Sequence, residues 1–118
     1  MKKLKKGRKF SREKDQRNAL MRSLSREFFI HERIKTTEAK AKESLPIVDG
    51  IITTAKKGDL HSRRILLKSF EKDLVKKIVE EIAPRYKDIS GGYARVVKLG
   101  QRPSDGARMA FLELIKVK

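Results

Sequence analysis

Cysteine is absent from this chain of 118 residues, acidic side chains number 15 against 31 basic ones, and no long apolar run is present. Without thiols there are no disulfides and no thiolate metal sites, a composition that a reducing cytosol permits. No stretch approaches the roughly 20 apolar residues that a membrane helix needs. A signal peptide would carry an apolar stretch behind its first cations, but Gly7-Arg8-Lys9-Phe10-Ser11-Arg12 stands there instead, so export by that route is not expected. Catalytic patterns are missing as well. His31 and His61 fall in different elements with no other histidine beside them, so a zinc site would need distant carboxylates and surface or RNA-facing histidines are the simpler reading. Glu80-Glu81 reads as a solvated helix face, on which Glu81 can pair with Lys77 one turn away, and Glu71 with Asp73 reads as a helix cap. Gly91-Gly92 lacks the Lys-Ser/Thr of a phosphate-cradling loop and leads into a strand, so it reads as a turn needing positive φ. No serine or threonine stands in a nucleophile elbow. An enzyme, a cofactor and a small-molecule substrate are all unexpected.

What the chain does have is positive charge. Lys2, Lys3, Lys5, Lys6, Arg8, Lys9, Arg12, Lys14 and Arg17 stand in residues 1–17 against Glu13 and Asp15 alone, so this segment holds +7 of a formal +16. The rest is spread over the remaining chain, and the pI is near 10.4. Charge so one-sided makes nucleic acid the default partner, and an anionic membrane surface a less common one. Residues 1–10 show neither helical nor strand period, contain Gly7 and repel themselves, so without a polyanion this arm is expected to be disordered. Residues 11–118 leave room for one domain, which could bury about two-thirds of its surface. Its hydrophobic fraction of 38% and charged fraction of 39% suit a small core under a large charged surface.

The periodicity predicts an α+β chain in the order α-β-α-α-α-β-β: a two-layer arrangement with a small three-stranded mixed sheet packed by helices, behind the basic extension. Ser11 is placed to cap the first helix, whose Leu20, Met21, Leu24 and Phe28 share one stripe. Phe29 lies off that stripe, either closing the helix end against another element or meeting a partner. Residues 33–37 alternate as a strand, and Thr37 can cap a second helix in which Ala41, Leu45, Val48, Ile52 and Ala55 are buried and Pro46 introduces a bend. Gly58 ends it and Asp59 caps the third helix, residue 60 to about 70, with Leu66 and Phe70 on one side. A fourth begins near Asp73, buries Leu74, Val75, Ile78 and Ile82, and stops at Pro84. A hairpin follows, with strands at 93–99 and 109–117 joined by a polar loop at 100–107.

Three basic groups stand out: the arm, the Arg22/Arg26 pair on the outer side of the first helix, and His61, Arg64 and Lys68 on one side of the third. Together they could touch several segments of a phosphate backbone. If about six to ten phosphates were neutralised, affinity would fall by roughly 10³ to 10⁵ between about 50 and 200 mM salt. No helix-turn-helix, zipper or zinc finger argues for sequence-specific DNA reading. An aromatic-rich sheet that stacks single-stranded bases is not visible either, since only Tyr93 lies in the first run of the hairpin. What remains is backbone-following binding to a folded nucleic acid. A nucleoid-type or regulatory DNA-binding protein is the alternative, and an enzyme acting on RNA a distant third.

Several blocks, in order, carry a resemblance: Gly7-Arg8-Lys9; His31-Glu32-Arg33-Ile34 with Thr36-Thr37 and Ala39-Lys40-Ala41-Lys42; Ala55-Lys56-Lys57-Gly58-Asp59-Leu60-His61; Glu81-Ile82-Ala83-Pro84-Arg85-Tyr86; and Gly91-Gly92-Tyr93-Ala94-Arg95 running on to Lys98-Leu99-Gly100. Nearly end to end, the chain resembles bacterial large-subunit ribosomal protein family seventeen. The resemblance implies a compact α/β body with a basic extension and no catalytic activity. It would be a cytoplasmic constituent of the ribosome, binding large-subunit ribosomal RNA near the peptide exit tunnel, beside other large-subunit proteins and away from membranes. Carried over by position, the RNA-contact candidates are Lys2, Lys3, Arg8, Lys9, Arg12, Arg17, Arg22, His31, Arg33, Lys56, His61, Arg64, Arg95 and Lys98; the basic groups add Lys5, Lys6, Arg26 and Lys68. Lys2-Lys3-Leu4 stands where the family usually has an Arg-His-rich tetrapeptide, and the 101–106 loop is less basic than usual.

Overall fold

In a computed structural model, residues 13–116 are described; the predicted Ser11 cap and the arm cations Lys2, Lys3, Lys5, Lys6, Arg8, Lys9 and Arg12 lie outside them. The elements are α1 (Lys14–His31), β1 (Arg33–Thr37), α2 (Glu38–Lys56), α3 (Leu60–Leu67), α4 (Lys72–Lys77), β2 (Ala94–Gln101) and β3 (Arg108–Leu114). Their order is the one the periodicity predicts. The sheet has the order β1-β3-β2 with both pairings antiparallel, so the expected mixed sheet is corrected. The hairpin joins β2 to β3 directly, and β1 completes the sheet from the other edge without a parallel crossover.

Pro84 does not stop the fourth helix. The chain leaves α4 through a π-helical turn, Ile78–Ile82, and a 3-10 turn, Ala83–Tyr86, with Pro84 in the first positions of the latter, where its missing N–H removes no needed hydrogen bond. The widened turn keeps Ile78, Val79 and Ile82 buried together. The predicted caps hold at α2 and α3, where Thr37 Oγ1 accepts from Lys40 N at 3.4 Å and Asp59 Oδ1 from Ser62 N at 2.7 Å. Glu71 stands at the N-cap of α4 but makes no cap bond. Its carboxylate instead takes the fork of Arg26 from α1, at 3.0 to 3.2 Å.

α2 is the element to which each layer attaches, packing on β2 and β3 and on α1, α3 and the turns after α4. Ala41, Ser44, Val48, Ile52 and Ala55 form its buried face, with Leu45 half-buried beside Ser44. Phe29 closes the end of α1 against the helices: its ring meets Phe28 edge-on at 5.2 Å and Phe70 at 6.2 Å. Burying either phenylalanine contributes about 1.5–3 kcal/mol. A second aromatic pair, Tyr86 on Tyr93 at 5.4 Å, joins the end of the helical segment to the start of the hairpin. Tyr86 Oη also donates to Ile115 O at 2.7 Å. Gly92, at φ 70°, makes the turn that lets Tyr93 enter this pair.

The end of α1 is less ordinary. Glu32 occupies the left-handed region at φ 64°, where an L side chain crowds its own carbonyl, yet the residue is not glycine. Its carboxylate is held by Arg85 and by Lys77, whose Nζ lies 3.5 Å from Oε2 and also donates to Ile30 O at 2.7 Å. Lys77 therefore caps α1 and does not form the predicted pair with Glu81.

Candidate nucleic-acid interface

Side chains alternate along a strand, so the sheet sorts its residues between two faces. Ile34, Ala94, Val96, Ala110, Leu112 and Leu114 join the core. On the other face the register sets Arg33 and Arg95 on either side of Glu113, and Lys35 and Val97 on either side of Phe111. Arg33, Lys35 and Arg95 are exposed and Phe111 is half-buried, so no described element covers this face. Arg95 Nε lies 3.0 Å from one oxygen of Glu113 and Arg33 Nε 3.6 Å from the other. The Arg33 guanidinium also lies over the Phe111 ring, its carbon 3.5 Å from the centroid.

The helical candidates fall into two kinds. Exposed Arg22, Arg64 and Lys68 make no ion pair with another described residue, and neither does half-buried Arg17. Arg26 is held by Glu71, and His31 by Glu27 at 3.4 Å. The Lys98 ammonium sits 3.8 Å from Glu38 at the start of α2, where Lys42 is the main cause holding the Glu38 carboxyl below its usual value. Lys56 turns inward: its ammonium donates to Ile89 O and to Tyr93 Oη at 3.1 Å, and this bond draws the phenol downward in pKa. Its charge thereby ties the hairpin entrance to α2. Asp49 helps from the same helix by accepting Tyr93 N at 3.1 Å, although burial pushes its carboxyl upward. His61 begins the basic side of α3 beside Asp59, whose carboxyl is lowered mainly by its hydrogen bonds from Ser62. Arg102, the one cation inside the polar loop, is committed to Asp105 by two contacts of 3.0 and 2.7 Å.

Two residues of the open face escape a reading of the sequence alone. Lys35 has a usable signal, because strand alternation puts it beside Arg33. Phe111 has one too, since Ala110, Leu112 and Leu114 claim the core side of β3. Tyr93, the aromatic of the first hairpin run, is 1% exposed and unable to meet a base. Between α1, α2 and α3 lies a groove of about 440 Å³ with an apolar floor that includes Met21, Ile51 and Phe70. Among the described residues no three His, Asp or Glu side chains converge as metal ligands, and no helix is long and apolar enough to cross a membrane.

The chain matches the model of the family described as "Ribosomal protein L17" over residues 20–115. It is 50% identical over 109 residues to the "Large ribosomal subunit protein bL17" of Caldanaerobacter subterraneus subsp. tengcongensis, covering 92% of this chain and 97% of that protein. Proteins of the same name from Exiguobacterium sp. and Pelobacter propionicus are 46% identical over 114 residues and 44% over 117. The alignments cover 91% and 98% of this chain, and 97% and 92% of those proteins.

Proposed function

Because the chain belongs to the ribosomal protein L17 family, we propose that it is a non-catalytic structural constituent of the bacterial large ribosomal subunit, working in the cytoplasm by binding and stabilising ribosomal RNA. The observation that carries the RNA-binding part is the distribution of charge. The chain's formal +16 includes cations on α1, α3, the open sheet face and the N-terminal arm, and Arg22, Arg64 and Lys68 are exposed without an ion pair to another described residue. A compact body with cations on several sides suits a partner that surrounds it, as folded RNA does, better than a single groove of a duplex.

In this proposal residues 11–118 are the RNA-binding body and residues 1–10 an arm that enters clefts between RNA helices. At about 3.3 Å per extended residue, ten residues reach on the order of 30 Å. The position near the peptide exit tunnel, beside other large-subunit proteins, belongs to the same proposal. It rests on the family resemblance.

The test is sedimentation of the tagged full chain through sucrose gradients after salt washing. Stoichiometric recovery with the large subunit is expected. Recovery with chromosomal DNA, or free of particles, would refute the proposal and favour the DNA-binding alternative. With large-subunit RNA in vitro, replacing Arg64 and Lys68 together by alanine should lower the slope of log affinity against log salt by about 0.7–0.9 for each phosphate that is no longer neutralised. An unchanged slope would remove Arg64 and Lys68 from the interface.

A further inference from the structure

The sheet face that no described element covers combines a planar cation, an aromatic ring and flanking charge. We propose that it is a site for an unpaired RNA nucleobase, which stacks on the outer plane of the Arg33 guanidinium while Lys35 and Arg95 receive the adjoining phosphates. This deepens the RNA-binding reading and rests on it. Arg33 is already arranged for the task. Its guanidinium carbon lies over the Phe111 ring, 3.5 Å from the centroid, its Nε is steadied by Glu113 at 3.6 Å, and its side chain remains 54% exposed. A base added above it would form the third layer of a ring–guanidinium–base stack, and little side-chain freedom would be lost on binding. Arginine planes and aromatic rings accept every base because each base has a π-face.

Charge complementarity selects the occupant. Arg33, Lys35 and Arg95 surround the single carboxylate of Glu113 on this face, leaving a net positive surface. Glu113 already spans Arg33 and Arg95, as a bridging anion would, so the two guanidiniums are held at a separation that one anionic group can bridge. Paired RNA offers phosphates but conceals its base faces. A looped or bulged strand offers both.

The full chain is titrated with a fluorescent single-stranded oligoribonucleotide and with an RNA duplex of equal phosphate count, using wild type, Arg33→Lys and Phe111→Leu. Arg33→Lys keeps the charge at an exposed position and loses the plane. Phe111→Leu keeps apolar volume and loses the ring. Stacking of one base contributes about fivefold to a hundredfold in affinity. Both variants should therefore lose at least about fivefold on the single strand, with duplex affinity and both salt slopes unchanged. If wild type and both variants bind both RNAs alike, the base site is refuted and the face falls to an acidic protein segment. Equal losses on strand and duplex would also refute it, by reducing Arg33 to a phosphate contact. Failure of wild type to bind either RNA would instead overturn the RNA-binding reading itself.

Discussion

Glu32 joins two opposing effects at one residue, and substitutions there separate them. Its φ of 64° costs roughly 1 kcal/mol for any L side chain relative to glycine. Its carboxylate, about one-third exposed, is shared between Arg85 and Lys77. A partly buried, charge-assisted network of this kind lies above the 0–1 kcal/mol of an ordinary surface pair and below the 3–5 kcal/mol of a fully buried one, so it contributes about 1–2 kcal/mol. Glu32→Gln and Glu32→Ala lose the network but keep the left-handed cost, and should each lose about 1–2 kcal/mol. Glu32→Gly loses the network and relieves the backbone, and should end about 1 kcal/mol more stable than the alanine variant. Urea denaturation reads all of these directly. The acid limb adds a check on the cause, which is first the Arg85 hydrogen bond: the folded pKa lies below the ordinary 4.5, so the stability is fully present above that value and is lost as pH falls through the folded pKa. Wild type and Glu32→Gln should converge in that window. Equal stability of the alanine and glycine variants, or a glutamine variant as stable as wild type at pH 7, would refute the reasoning.

Two further outcomes follow from individual side-chain contacts. Tyr86→Phe removes the donor to Ile115 O and should cost about 1–2 kcal/mol with little loss of packing, measured by thermal or urea unfolding. The carboxyl of Asp105, held down first by the Arg102 fork, should titrate at about 2 by NMR and move back toward the ordinary aspartate range in Arg102→Gln.

Much of the fold was legible because its signals are local. Thr37 and Asp59 announce α2 and α3 through side chains that bond to backbone three residues on, and the spacing of Ala41, Val48, Ile52 and Ala55 identifies the inward face of α2. The errors arose where a local rule met a tertiary demand. Pro84 reads as a stop, but the core's need for Ile78 and Ile82 on one side carries the chain on through π and 3-10 turns to Tyr86. Lys77 reads as a partner for Glu81, but the unsatisfied carbonyl of Ile30 and the carboxylate of Glu32 attract it across the fold. Lys56 illustrates the same limit at the candidate interface, where a basic residue in a family block turns its charge inward to Ile89 and Tyr93.

By itself the sequence determined the order of elements, the excess of positive charge and, through its ordered blocks, the family. These depend on composition and on the 3.6- and 2-residue periods, which act over a few neighbouring positions. Only the tertiary structure decided which cations remain without an acidic partner and which aromatic faces outward. Arg26 meets Glu71 across 45 residues, Arg85 meets Glu32 across 53, and Phe111 comes beside Arg33 only when β3 enters between β1 and β2. Side-chain period assigns a face to each element, and the packing of elements decides which of those faces meet.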